Sequence, residues 1–200
     1  MKKRFLNILI FIFIFALYFV TFLFIYDTFR DRKLNELSKK AEEVLDKKLE
    51  KTEKKEIPEE TISQVGISYS GYTIIGKIQI PKIGFNSVIL KEYTYAAMNL
   101  GVIKSYGVEL NQKGGFVLSG HNFKGRSTFM YSIKNLKNND KIIITNTDGV
   151  RLEYTVYSVE RNVSPNETSY LNKTDDYHVT LVTCENGGKQ RIVVKARVNE

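Results

Sequence analysis

The hydrophobic pattern changes character twice along this chain. Residues Phe5 to Tyr26 run for 22 positions without a charge, interrupted only by the polar Asn7 and Thr21, behind a short basic cap of Lys2, Lys3 and Arg4. At about 1.5 Å per residue, a helix of that length covers the ~30 Å hydrocarbon core of a bilayer. From residue 30 to residue 60, ten basic and ten acidic side chains cancel, and Leu34, Leu37, Ala41, Val44, Leu45 and Leu49 recur at helical spacing. This predicts a charged helical stalk that ends at Pro58. Glu43 stands four positions before Lys47, but Asp46 stands four before Glu50, so charges at this spacing both support and oppose the helix. The expected organisation is an anchor over 1–29, a stalk over 30–60 and a single domain over 61–200, long enough to bury its own core.

Within that last domain the period shortens to that of strands. Ile74 to Ile80 is stopped by Pro81, Asn86 to Leu90 makes a second strand, and Tyr93 to Leu100 suits one or two helical turns. Phe116 to Ser119 lies between Gly114-Gly115 and Gly120. Lys141 to Thr145 is followed by an Asp148-Gly149 turn into Val150 to Val159, with a helix expected over Phe129 to Leu136. Thr180 to Cys184 and Ile192 to Val198 form a hairpin around the turn Glu185 to Gly188. Seven or eight short strands and two short helices predict a mainly β fold, most simply closed as a small barrel.

Charge and leader sequence set the compartment. The chain carries a net charge of +8, but in the last domain its lysines are scattered singly, which disfavours nucleic acid and suits an anionic wall or membrane surface. The apolar run ends in Phe24, Ile25, Tyr26 and Asp27, with no small-residue cleavage site, so an uncleaved membrane anchor over 5–26 is expected. Basic residues flank it on both sides. A short leading segment normally stays inside while a long following domain is translocated, giving a cytoplasmic amino terminus and an extracellular domain.

Export sharpens the chemistry of Cys184, the single cysteine in the chain. A free cysteine often serves as a small apolar filler, but outside the cytoplasm a lone thiol has no disulfide partner in its own chain, which points to a reactive role. Arg191, seven residues on, offers fixed donors and a permanent charge to a carbonyl oxygen that becomes negative. A proton partner must come from His121, in Gly120-His121-Asn122 at a strand end, or from His178, unless a carboxylate or no side chain serves. His178 lies six residues before Cys184 on one strand, about 20 Å away at roughly 3.3 Å per residue, so His121 is the choice.

The anchor, the GKIQIPKI strand, LSGHN, TLVTC and the arginine that follows together resemble the sortases, membrane-anchored cysteine transpeptidases of Gram-positive cell surfaces. The resemblance implies an eight-stranded β-barrel with His121, Cys184 and Arg191 as the catalytic three. It also places substrate recognition in Arg161 to Tyr177. Asn122, Thr183, Glu185, Ser169, Tyr170 and Leu171 are the residues expected to contact substrate. The implied reaction cleaves an LPxTG-like sorting signal through a thioacyl intermediate and passes the surface protein to a peptidoglycan-precursor amine, with neither cofactor nor metal. No Asp-Pro-aromatic lid motif precedes the barrel strands, and the short Cys184 to Arg191 gap departs from the class A pattern, so class B or D is expected. Two other readings differ in kind. An L,D-transpeptidase would place glycine just before the cysteine, where Thr183 stands, and a non-catalytic anchored β-domain would bury the thiol.

Overall fold

The computed structural model describes residues 2–53, 66–123, 130–171 and 174–199. A long helix, α1 (Lys2–Glu53), comes first, and it crosses a boundary between two compact units, Met1–Glu36 and Leu37–Glu200. Within the first unit the apolar run from Leu6 to Tyr26 is solvent-facing, and the helix is long and apolar enough to cross a membrane.

The second unit is built from nine strands: β1 (Ile67–Tyr69), β2 (Tyr72–Ile80), β3 (Phe85–Leu90), β4 (Val102–Gly107), β5 (Gly114–Gly120), β6 (Lys141–Asn146), β7 (Arg151–Val163), β8 (Tyr177–Glu185) and β9 (Gln190–Arg197). Their order is β1-β2-β3-β4-β5-β8-β9-β7-β6, and a further β2–β6 pairing closes β2 to β9 into an eight-stranded barrel with β1 as a short flap on β2. The expected mainly β barrel is therefore present. Closure brings two backbones very close at Gly76, paired with Asn146: a Cβ there would stand 2.5 Å from the Thr145 carbonyl oxygen, so a larger residue would push β2 and β6 apart.

Alternation on these strands sends Ile78, Ile80, Ile89, Leu118, Ile144, Leu181, Ile192 and Val194 inward, each wholly buried. Tyr154 joins them, its ring edge-on to Phe116, and its hydroxyl donates to Asn111 Oδ1 at 3.0 Å. Asn111 in turn donates to the carbonyls of Ile144 and Val150, which satisfies a polar group deep in the core.

Two strands escape the sequence pattern. In β4 only Val102 and Ile103 are buried before Lys104, Ser105 and Tyr106 turn polar, and β1 is three residues long. The strands form because β4 fills the gap between β3, which it pairs in parallel, and β5. The parallel step is bridged by α2 (Tyr95–Leu100), whose first turn is capped by Thr94 accepting from the Ala97 amide at 3.1 Å. The helix expected at 129–136 is a 3-10 segment, Met130–Asn135, and Phe129 lies outside the described residues.

The carboxyl-terminal part of α1 belongs to the second unit's packing. Ala41 and Leu45 are wholly buried, and with Leu49 they share a cluster with Ile74, Val88, Leu90, Ala97, Leu100 and Ile103. The helix lies against the outer face of β2 and β3 and against α2. Polar contacts flank the seam: Lys77 Nζ pairs with Asp46, and Asn86 Nδ2 donates to Glu42 at 3.1 Å. The junction expected near residue 60 lies outside the described residues, while the packed unit reaches back to Leu37.

Leu45→Ala should cost about 2–5 kcal/mol of stability, measured by denaturant unfolding, because a fully buried leucine leaves a cavity where the helix meets the sheet. A second expectation concerns pH. Burial and then the neighbouring Asp46 raise the Glu42 carboxyl from 4.5 to about 7, against Lys77 and Lys39. A carboxyl raised on folding stabilises while protonated, so the thermal midpoint should fall as pH rises from about 4.5 to about 7. In Glu42→Gln that dependence should flatten.

Candidate active site

Three neighbouring strands bring the three side chains expected to be catalytic to one level. β5 and β8 run parallel with Gly120 opposite Thr183, so the next residues on each, His121 and Cys184, emerge side by side. β8 and β9 run antiparallel with Cys184 directly opposite Arg191. A pair in such a ladder has Cα atoms roughly 4.5–5.5 Å apart. His121, Cys184 and Arg191, distant in sequence, thus line one cavity of about 490 Å³. That is room for a few residues of an extended peptide.

Local hydrogen bonds hold each strand end in place. The buried Thr183 hydroxyl donates to the Gly120 carbonyl at 2.7 Å, tying β8 to β5 one residue before the thiol. The His121 carbonyl accepts from the Met130 amide at 2.8 Å, and Asn122 Nδ2 donates to the Cys184 carbonyl. Beyond Cys184 the chain turns through Gly187 and Gly188, at φ 66° and 90°, a left-handed path that favours glycine. Arg191 Nη1 closes this turn, donating to the carbonyls of Gly188 at 2.8 Å and Gln190 at 3.0 Å. Among the described residues no carboxylate pairs with Arg191.

The thiol of Cys184 is exposed, whereas His121 is only 8% exposed. Tyr95 meets the imidazole edge-on with centroids 4.6 Å apart, and Phe123 lies tilted at 5.4 Å. This desolvation holds the His121 pKa below its ordinary 6.5 despite a backbone hydrogen bond with Tyr95 that favours the charged form. Burial thus favours the neutral imidazole over the imidazolium. Among the described residues no three His, Cys, Asp or Glu side chains converge as a metal site would require.

The other residues expected to touch substrate separate into three places. Asn122 and Thr183 line the cavity, but the Thr183 hydroxyl is committed to Gly120. Glu185 also borders it, yet its carboxylate accepts from Arg161 Nε at 2.8 Å and from the Asn162 amide at 2.9 Å. Burial opposes its charge, but these donors hold its pKa below the usual carboxylate value. Ser169, Tyr170 and Leu171 form a 3-10 turn beside a separate cavity of about 200 Å³ that also touches Tyr157 and His178. They meet the Cys184 cavity indirectly, since Tyr170 and Leu171 pack with Val182, which lines it. His178 is hydrogen-bonded to the Tyr157 hydroxyl at 2.8 Å and pairs with Arg197 at the opposite end of β8. Sequence reading missed Tyr93, Tyr95, Met98 and Phe123 as cavity walls. The pair of aromatics in Tyr93-Thr94-Tyr95, at the start of the helix predicted over Tyr93 to Leu100, was the one available signal.

Residues 78–199 match the family model described as the sortase domain. The chain belongs to the sortase family. Over 118 residues it is 27% identical to sortase A of Listeria monocytogenes, covering 59% of this chain and 52% of that protein. Over 111 residues it is 28% identical to sortase A of Bacillus anthracis, covering 56% and 52%. The chain thus spans about half the length of these two relatives. Among solved structures, Listeria monocytogenes sortase A superposes with a TM-score of 0.57 at 26% identity, over 64% of this chain and 88% of that one. The Clostridium perfringens sortase D5 transpeptidase gives a TM-score of 0.60 at 25% identity, over 82% and 97%. The sortase domain takes in β3 to β9 and the end of β2 from Ile78; α1, β1 and the start of β2 stand before the matched residues.

A proton NMR titration should place the His121 midpoint below 6.5. Phe123→Ala admits water to one face of the ring, so the charged form is better solvated and the midpoint should move up towards 6.5.

Proposed function

We propose that this chain is a cysteine transpeptidase that cleaves an LPxTG-like sorting signal and transfers the released acyl group to a cell-wall amine. The observation that carries this reading is the single row across β5, β8 and β9 that brings His121, Cys184 and Arg191 to one cavity. The Cys184 sulfur, as thiolate, attacks the threonine carbonyl carbon, and the carbon–oxygen π pair moves onto oxygen. Arg191 donors face that oxygen while the negative charge develops. Collapse breaks the carbon–nitrogen bond, the protonated His121 gives its proton to the leaving amine, and a thioester on Cys184 remains. An incoming amine attacks the thioester, His121 takes its proton, and the carbon–sulfur bond breaks to return the thiolate.

The imidazole environment carries a kinetic consequence. Attack needs thiolate and imidazolium together, and burial of His121 favours the neutral ring. At neutral pH only a minority of molecules hold the required pair, and turnover is slow in consequence. The apolar helix at the amino terminus serves as a membrane anchor, with its amino terminus cytoplasmic and the barrel outside, where sorting-signal proteins and the peptidoglycan-precursor amine meet it.

Cys184→Ala should fold as the parent does and lose all cleavage of a fluorogenic sorting-signal peptide; retained cleavage would overturn the mechanism. In the same assay Arg191→Lys, which keeps charge but loses the planar fork, should slow turnover by about 10²-fold. His121→Gln should be inactive, while His178→Gln, altered at the far end of β8, should lose little.

A further inference from the structure

Glu185 follows the nucleophile directly, and strand alternation sends the two side chains to opposite faces. Cys184 is exposed towards the cavity, whereas the Glu185 side chain is 7% exposed and reaches past β9 towards β7. Three donors meet it there: Arg161 Nε at 2.8 Å, Arg161 Nη2, and the backbone amide of Asn162 at 2.9 Å. Lys134, on the 3-10 segment Met130–Asn135, adds a favourable charge at longer range.

The receiving end is irregular in a way that suits this contact. Pairing of β7 with β9 skips between Glu160–Val193 and Val163–Arg191, so Arg161 and Asn162 form a bulge, with Asn162 at φ 59°. A bulge leaves a backbone amide outside the ladder, and the Glu185 carboxylate takes it. Arg191 lies between Cys184 on one side and Val163 on the other. The ion pair therefore straps β7 to β8 across the strand that carries Arg191. Immediately after Val163 the chain leaves the sheet, and residues Tyr170 and Leu171 return to pack on Val117, Val182 and Val193 beside the cavity.

We propose that Glu185 and Arg161 are positioning residues that set the spacing between the nucleophile and the 164–171 segment, and with it the affinity for the donor peptide. This rests on the transpeptidase reading above. Neither side chain touches the reacting atoms. Slackening the strap shifts the 164–171 segment against Val182, which lines the Cys184 cavity, and weakens donor binding, while the acceptor amine, whose proton His121 takes, is unaffected.

The test uses the full chain in detergent, a fluorogenic LPxTG peptide as donor and hydroxylamine as acceptor. Arg161→Met and Glu185→Gln should raise the peptide KM about tenfold, with kcat within about twofold and the hydroxylamine KM unchanged. Arg161→Lys, which keeps the charge and loses the fork, should fall between parent and Arg161→Met. A pH signature separates positioning from general bracing. In Arg161→Met the Glu185 carboxyl keeps its burial and its bond from the Asn162 amide but loses the paired guanidinium, so its pKa rises. Its peptide KM should then climb as pH falls from about 7 to about 5, while the parent and the Arg161→Met/Glu185→Gln double variant stay flat over that range. An unchanged peptide KM in the single variants would overturn the proposal. So would a uniform loss in kcat and both KM values that tracks a falling thermal midpoint. The underlying reaction is tested separately by Cys184→Ala, whose failure would not be mistaken for failure of the strap.

Discussion

The register of three strands governs the rest of this molecule. Parallel pairing of β5 with β8 and antiparallel pairing of β8 with β9 bring His121, Cys184 and Arg191 level, and a slip of one residue in either ladder would send the thiol or the guanidinium to the opposite face. The surrounding hydrogen bonds make such a slip costly. Thr183 is bound to the Gly120 carbonyl in a buried position, so moving β8 against β5 would leave a hydroxyl and a carbonyl unpaired away from water.

Electrostatics divides the site between an apolar and a polar side. Around His121, Tyr95 and Phe123 exclude water and disfavour charge on the ring. On the other side, Arg191 is held by two turn carbonyls that do not neutralise it, which leaves its charge available to an anion in the cavity. The acidic residue nearest in sequence, Glu185, is committed to Arg161 on β7. Placed in the cavity instead, its carboxylate would oppose both a thiolate and an oxyanion.

The carboxyl-terminal half of α1 extends the barrel's packing. Val88, Leu90 and Ile103 face outward from the barrel core, and they are buried because Ala41, Leu45 and Leu49 cover them. At about 25 cal/mol per Å² of apolar surface, covering that face is worth several kcal/mol, a substantial part of the stability of a domain this size. The same cluster reaches Met98, which also lines the reactive cavity, so the helix and the site share a packed wall.

Much of this was legible in the sequence because it depends on local chemistry. A charge-free run of bilayer length, a strand of alternating residues ending in a lone cysteine, and the glycine turn before Arg191 each carry their meaning within a dozen residues. Distance along one strand was enough to set His178 aside. What stayed hidden depends on partners remote in the chain. The strand β4 has little apolar pattern of its own and exists because β3 and β5 flank it. The leucines of α1 read as a stalk because helical spacing shows that a face is apolar but not what covers it. Glu185 reads as a substrate contact until the fold brings Arg161, 24 residues earlier, to its carboxylate. Sequence by itself determined which groups have the chemistry to react and where the strongly patterned strands and helices lie; only the tertiary structure decided which of them meet, because a carboxylate or an apolar face is satisfied by whichever partner the closed barrel places beside it.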